Sequence, residues 1–132
     1  NSEHQILNEN DKNILIQKNE KVFVDNELIS DSKTLDSEFV VKNCSNCTIT
    51  LQGTMKTLKL LELQSCIIYA GPVARSIMVD HCKECTIQIA SHQMRIHNSN
   101  KCHFFLCSNS KPIIEDCTEL KFSCYSYSYD DI

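Results

Sequence analysis

Apolar residues alternate with polar ones along much of this chain, and the same arrangement returns at a nearly fixed interval. Val41, Leu60, Val79, Ile96 and Ile114 are separated by 19, 19, 17 and 18 residues. Six residues beyond each stand Cys47, Cys66, Cys85, Cys102 and Leu120. Two further on come Ile49, Ile68, Ile87, Phe104 and Phe122, and two further again Leu51, Ala70, Ile89, Leu106 and Cys124. Every member of these four columns is apolar or cysteine. The positions between them include Thr48 and Thr50, Thr86 and Gln88, His103 and Phe105, Lys121 and Ser123. Alternation of this kind marks a strand with one buried face. Each repeat therefore predicts one strand at the Val41 column and another beyond the Cys47 column. Short turns rich in Asn, Asp and Cys join them, as in Asn43–Asn46 and Asp80–Glu84.

A short repeat of two or three strands with no helical periodicity predicts an all-β solenoid, a parallel β-helix of about five to six coils. One coil cannot bury its own inner face. Stacking coils at about 4.8 Å aligns equivalent residues into ladders and closes the core. An antiparallel sandwich explains the alternation but not the constant offset of six. Residues 38–132 are assigned to the solenoid and residues 1–37 to a lead-in segment and irregular first coil. Within that segment Ile14–Ile16 and Val22–Val24 read as strands, residues 1–12 as a frayed start and Asp25–Ser37 as a loop. The chain opens on Asn1 rather than Met, and parts are expected to be missing from both ends.

Composition narrows the partners. The chain has 132 residues and a formal net charge of −4, with no block of Lys or Arg, which argues against nucleic acid and anionic membranes. Apolar runs are far too short to span a bilayer. Nine cysteines would suggest a disulfide framework in a secreted protein. Here the number is odd, and the residues fall in apolar columns where cysteine acts as a small hydrophobe. Reduced thiols and a cytoplasmic location are expected. The pairs Cys44/Cys47 and Cys82/Cys85 have the spacing of zinc ligands. Cys47 and Cys85, however, lie two rungs apart in one inward column, so the pairs cannot converge on one ion, and no metal is expected. Five histidines permit a Cys–His nucleophile, but no nucleophile elbow or phosphate loop accompanies them, and the chain has only two glycines.

One strand carries a candidate surface. Ile96 and Met94 face inward, so Gln93, Arg95 and His97 share the outer face. Ile113 and Glu115 point outward on the next coil, as Met78 and Asp80 do on the one before. Arg95 is thus ringed by an amide, carboxylates and two apolar side chains. A solvated arginine with a neighbourly ion pair is the ordinary alternative. Exposed Met78 and Ile113 favour a contact surface. Tyr125, Tyr127 and Tyr129 alternate as an edge strand or a partner-facing stripe would.

Gly71-Pro72-Val73, Ser76-Ile77-Met78-Val79-Asp80 with Cys82 and Cys85, Gln93-Met94-Arg95-Ile96-His97, Pro112-Ile113-Ile114-Glu115-Asp116-Cys117 and Phe122 together resemble the C-terminal domain of tubulin-binding cofactor C. The resemblance runs from about residue 38 to 125 and implies a right-handed parallel β-helix that activates a GTPase. It implies that Arg95, in the Gln-x-Arg motif with Gln93, is an arginine finger. It places Glu115 on the surface that contacts the GTPase, and His97, Met78 and Ile113 are expected to join that contact. No cofactor of its own is implied, since GTP and Mg²⁺ belong to the partner. One branch of the family acts with two other tubulin cofactors on β-tubulin; the retinitis-pigmentosa branch acts on Arf-like GTPases. His97 and Glu115-Asp116-Cys117 lean to the first, which implies a cytoskeleton-associated location. Phe122-Ser123-Cys124-Tyr125, in place of Phe-Ala-Pro-Tyr, leans to the second, and His92 replaces the first Gln of the common Gln-Gln-x-Arg. A third reading is a non-catalytic cytoskeletal binder of the same architecture, like the C-terminal domain of cyclase-associated protein. The retained Gln93 and Arg95 argue against it.

Overall fold

The computed structural model describes residues 4–7, 13–16, 22–24, 27–30, 38–51, 55–108 and 110–124. They form thirteen strands and, among the described residues, no helix. The strands are β1 (His4–Leu7), β2 (Asn13–Ile16), β3 (Val22–Val24), β4 (Glu27–Ser30), β5 (Glu38–Lys42), β6 (Thr48–Leu51) and β7 (Met55–Leu61). They continue with β8 (Ile67–Ala70), β9 (Val73–Asp80), β10 (Thr86–His97), β11 (His103–Ser108), β12 (Ile113–Glu115) and β13 (Lys121–Cys124). Apart from the antiparallel hairpin β3–β4, every ladder is parallel. Two stacks result. One runs β1-β5-β7-β9-β10-β12, the other β2-β6-β8-β10-β11-β13. β10 belongs to both, its first half in the second stack and its second half in the first.

The sequence columns are the ladders. Val41, Leu60, Val79, Ile96 and Ile114 are register partners in turn, and so are Ile49, Ile68, Ile87, Phe104 and Phe122. Isolated bridges link Ser45, Gln64, Lys83, Asn100 and Thr118, a one-residue third side of each coil. Four steps join these five positions, so the described solenoid has about four turns rather than the five to six expected. The N-terminal segment differs in detail. β1 lies in the stretch expected to fray, yet it pairs with β5, and β4 lies in the stretch expected to be loop. Tyr125, Tyr127 and Tyr129 lie outside the described residues.

The corners explain both the asparagines and the cysteines. Two residues per coil take left-handed backbone: Asn43 and Asn46, Glu62 and Ser65, His81 and Glu84, Asn98 and Lys101, Asp116 and Glu119, with φ between 49° and 58°. For residues other than Gly, Asn and Asp this conformation costs roughly 1–2 kcal/mol. Stacking offsets it, because these backbone N–H groups donate to the next coil. Asn43 reaches Leu61 O at 3.0 Å, Glu62 reaches Asp80 O at 2.9 Å and His81 reaches His97 O at 3.2 Å. The residue after each first left-handed position points inward, giving a fifth column of Cys44, Leu63, Cys82, Ser99 and Cys117. Space there is small and carbonyls are close. Cys82 Sγ donates to Leu60 O at 3.4 Å and Cys117 Sγ to Ile96 O at 3.4 Å. Ser99, the buried polar member, donates to His97 O at 2.8 Å and accepts from Cys82 N at 3.2 Å.

Cys47, Cys66, Cys85 and Cys102 are buried on successive coils. Hydrogen bonds to Cys102, Cys66 and Cys82, followed by burial, push the Cys85 thiol well up from its ordinary range. Among the described residues no group of His, Cys, Asp and Glu is arranged to hold a metal ion. At normal strand spacing, stacked cysteines come within the Cα separation that a disulfide tolerates. Thiol titration of protein denatured without reductant is nonetheless expected to find most of the nine cysteines reactive. Stoichiometric zinc in the purified protein, or a deficit of thiols in pairs, would overturn their assignment as core packing.

The inward columns end at the last described coil. Ile114 and Phe122, expected inside, are 45% and 41% exposed. Ile114 keeps its register over Ile96, and Phe122 stacks on Phe104 with centroids 5.3 Å apart. Among the described residues no further coil lies above them.

Candidate functional site

The first stack presents an outer face built on β9, β10 and β12. Register sets its grid. Arg95 lies between Met78 and Ile113, His97 between Asp80 and Glu115, and Gln93 beside Ser76. All six residues expected at the site come together on this face. Gln93 and Arg95 are exposed, as is Ile113 at 42%. Met78 is only half-buried, not fully presented, because it sits between two strands. His97 also departs from expectation. Its side chain is 25% exposed against 62% for Glu115, since neighbouring coils flank it on both sides.

The charges around Arg95 are largely accounted for. His97 Nε2 lies 3.1 Å from Glu115 Oε1. The same nitrogen is buried and lacks an aligned hydrogen-bond acceptor. The contact is an ion pair only when His97 is protonated, and distance alone does not make it a directed bond. Asp80 Oδ1 accepts from Asn98 Nδ2 at 3.1 Å and stands 2.8 Å from His81 Nδ1. Lys59 Nζ meets Glu38 Oε2 at 2.9 Å one coil further back. Arg95 itself makes no side-chain hydrogen bond or ion pair among the described residues. Its guanidinium projects from a ladder paired on both sides, and its five donors are unengaged among the described residues.

Placement along the strand depends on an irregularity. The register shifts between Ser91 and Gln93, where Val73 to Ser76 takes one residue more than β10 does. Ser91 Oγ donates to Gln93 O at 3.0 Å across this kink. Such bulges re-aim side chains, and here the kink precedes Gln93 and Arg95. The neighbours that engage Asp80, namely His81 and Asn98, were missed from sequence. The 18-residue spacing from Asp80 to Asn98 was the available signal.

Residues 36–132 match the family described as Tubulin binding cofactor C. The chain belongs to this family. It is 40% identical over 95 residues to "Tubulin-folding cofactor C" of Arabidopsis thaliana, covering 72% of this chain and 28% of that protein. It is 36% identical over 95 residues to "Tubulin-specific chaperone C" of Homo sapiens, with the same coverage. "Protein XRP2" of Danio rerio is 34% identical over 95 residues, 72% of this chain and 25% of that protein. The chain thus spans about a quarter of the length of these relatives. Within the cofactor C fold, Glu115 stands at a position whose removal tests surface against scaffold. Glu115→Ala is expected to change stability by about 1 kcal/mol or less, as for other exposed ion pairs. A melting temperature lowered by many degrees would make Glu115 a structural residue instead.

Proposed function

We propose that this cofactor C domain is a GTPase activator whose Arg95 completes the nucleotide site of a partner. The observation that carries the reading is the guanidinium unengaged among the described residues on a sheet face paired on both sides, with the nearest carboxylates contacting other groups. GTP hydrolysis builds negative charge on the phosphoryl oxygens in the transition state. A cation delivered from outside stabilises it and adds roughly 10³–10⁵ in rate, or about 4–7 kcal/mol of barrier. Arginine suits the task because its planar fork can bond two oxygens and stays charged. Gln93, two residues earlier on the same outer face, steadies the approach, and Glu115, His97, Met78 and Ile113 supply the contact around it.

The relatives named for tubulin folding favour β-tubulin, acting with the other tubulin-folding cofactors, as the partner. The domain has no substrate of its own in this reading, requires only the partner's GTP and Mg²⁺, and works in the cytoplasm beside the cytoskeleton. A second reading, an Arf-like GTPase, is favoured by the Phe122-Ser123-Cys124-Tyr125 sequence and the likeness to XRP2. The test is single-turnover GTP hydrolysis with the domain added to tubulin plus the two other cofactors, and in parallel to an Arf-like GTPase. Stimulation with tubulin is expected. Stimulation of the Arf-like protein alone moves the assignment to the second reading, and acceleration of neither overturns both.

A further inference from the structure

The face that carries Arg95 is electrically divided along its strands. At the end where the strands leave the corner-bearing coil, carboxylates collect. Asp80 and Glu115 close β9 and β12, and Glu62 and Asp116 take the left-handed corner positions directly after β7 and β12. At the opposite end the exposed ionisable residues include Lys56 on β7, Arg75 on β9, His92 on β10 and Lys111 just before β12. Residues 38–124 hold nine Lys and Arg against seven Asp and Glu, a balance of +2 in a chain of −4 overall. Three of those nine cations, Lys56, Arg75 and Lys111, lie on this one edge.

Backbone geometry puts it there. Register shifts occur between Met55 and Thr57 and between Ser91 and Gln93, both opposite the extra residue of β9. The alternation of β9 breaks at that point, with Ala74 and Arg75 both exposed. The bulge turns outward a side chain that strict alternation would have turned in. Arg75 is one strand from Arg95 and three residues short of Met78, the register partner of Arg95. At normal strand spacing and rise, their Cα atoms are on the order of 11 Å apart. Arg75 and Lys56 make no ion pair among the described residues, and Glu38, on the neighbouring strand, is held by Lys59 at 2.9 Å.

From this arrangement we infer that Lys56 and Arg75 form a docking strip for an acidic protein surface beside the partner's nucleotide site, separate from the finger itself. The inference rests on the GTPase-activating reading of the same face. A cationic edge next to an open guanidinium steers an acidic partner, and the carboxylates at the far end disfavour the reversed orientation. The strip should act on encounter and affinity, whereas Arg95 acts on the transition state.

The test uses the 132-residue chain, GTP-bound tubulin with the two other cofactors, and the double variant Lys56→Glu/Arg75→Glu. Both positions are exposed, so the variant should melt like the wild type. Binding is expected to weaken by about tenfold or more at low salt and to lose much of its salt dependence. The rate at saturating domain should be unchanged. The Lys56→Ala/Arg75→Ala variant should show a smaller loss in the same direction. Wild-type affinity and salt slope in the charge-reversal variant would overturn the strip. So would charge-dependent binding to phosphatidylcholine–phosphatidylserine vesicles with tubulin affinity unchanged, which would assign the strip to a lipid surface. A wild-type chain that binds tubulin without accelerating hydrolysis, yet loses binding on charge reversal, sinks the finger and leaves the strip standing.

Discussion

Arg95→Ala is expected to reduce partner-stimulated GTP hydrolysis by about 10³-fold or more, with fold and most of the partner affinity retained. The side chain is exposed and makes no bond within the domain among the described residues, so its removal uncovers no core and orphans no buried group. Met94 and Ile96, its inward neighbours, are 2% and 0% exposed and hold the strand without it. An interaction made chiefly in the transition state lowers the rate far more than the affinity when it is lost. Arg95→Lys should also be badly impaired, because one ammonium cannot reproduce a planar fork that bonds two oxygens. The measurements are single-turnover hydrolysis with partner in excess, a binding assay and a melt for each variant. Full stimulation by Arg95→Ala would end the finger hypothesis and make the domain a binding module. Loss of activity accompanied by loss of binding or of the fold would make the arginine an anchor or a structural residue.

How far this site could be read from sequence follows from what fixes it. The inward columns are dictated by burial, so register was legible. Once Ile96 and Ile114 align, Arg95 must sit beside Ile113 and His97 beside Glu115, and they do. Exposure was less legible because it depends on what lies across the ladder. His97 was expected open but is enclosed by its neighbours, and Ile114 was expected closed but is left uncovered at the last described coil. The corners were only half legible. Asn43, Asn46 and Asn98 announce left-handed backbone, since asparagine tolerates it. Glu62, Ser65, His81 and Glu84 adopt the same conformation without that chemistry, held by the coils that receive their N–H groups. No local rule identifies them; only their offset from the Val41 column does.

The bulge at Arg75 shows a further limit. The interval of 17 residues between Val79 and Ile96, against 19 on the coils before, signals that part of a coil has been shortened. It does not say where. The register locates some of the difference between Ser91 and Gln93, and that placement decides which of Ala74, Arg75 and Ser76 face outward. A pattern based on strict alternation therefore passes over Arg75, although it is one of only two arginines in the chain.

Ile87→Asp is expected to unfold the domain or lower its melting temperature severely. Ile87 is 0% exposed and lies in register between Ile68 and Phe104, themselves 0% exposed. The substitution removes well-packed aliphatic volume, a loss of about 2–5 kcal/mol for comparable truncations. It also places a carboxylate where the flanking column offers no cation, adding several kcal/mol or forcing the group to bind a proton. Whole domains are stable by only about 5–15 kcal/mol. The position aggravates the loss, because β10 is the strand shared by both stacks. Coils of a solenoid are held by their neighbours, so a fault in β10 weakens the coils on either side as well as its own. Ile87→Val, which keeps shape and polarity, should cost about 0.5–1.5 kcal/mol. Gln88→Asp, one residue on and facing outward, should be tolerated. Thermal and urea melts followed by far-ultraviolet circular dichroism would separate the three. An Ile87→Asp protein that melts with the wild type would show that this column does not face the core and would undo the ladder assignment on which the placement of Arg95 depends.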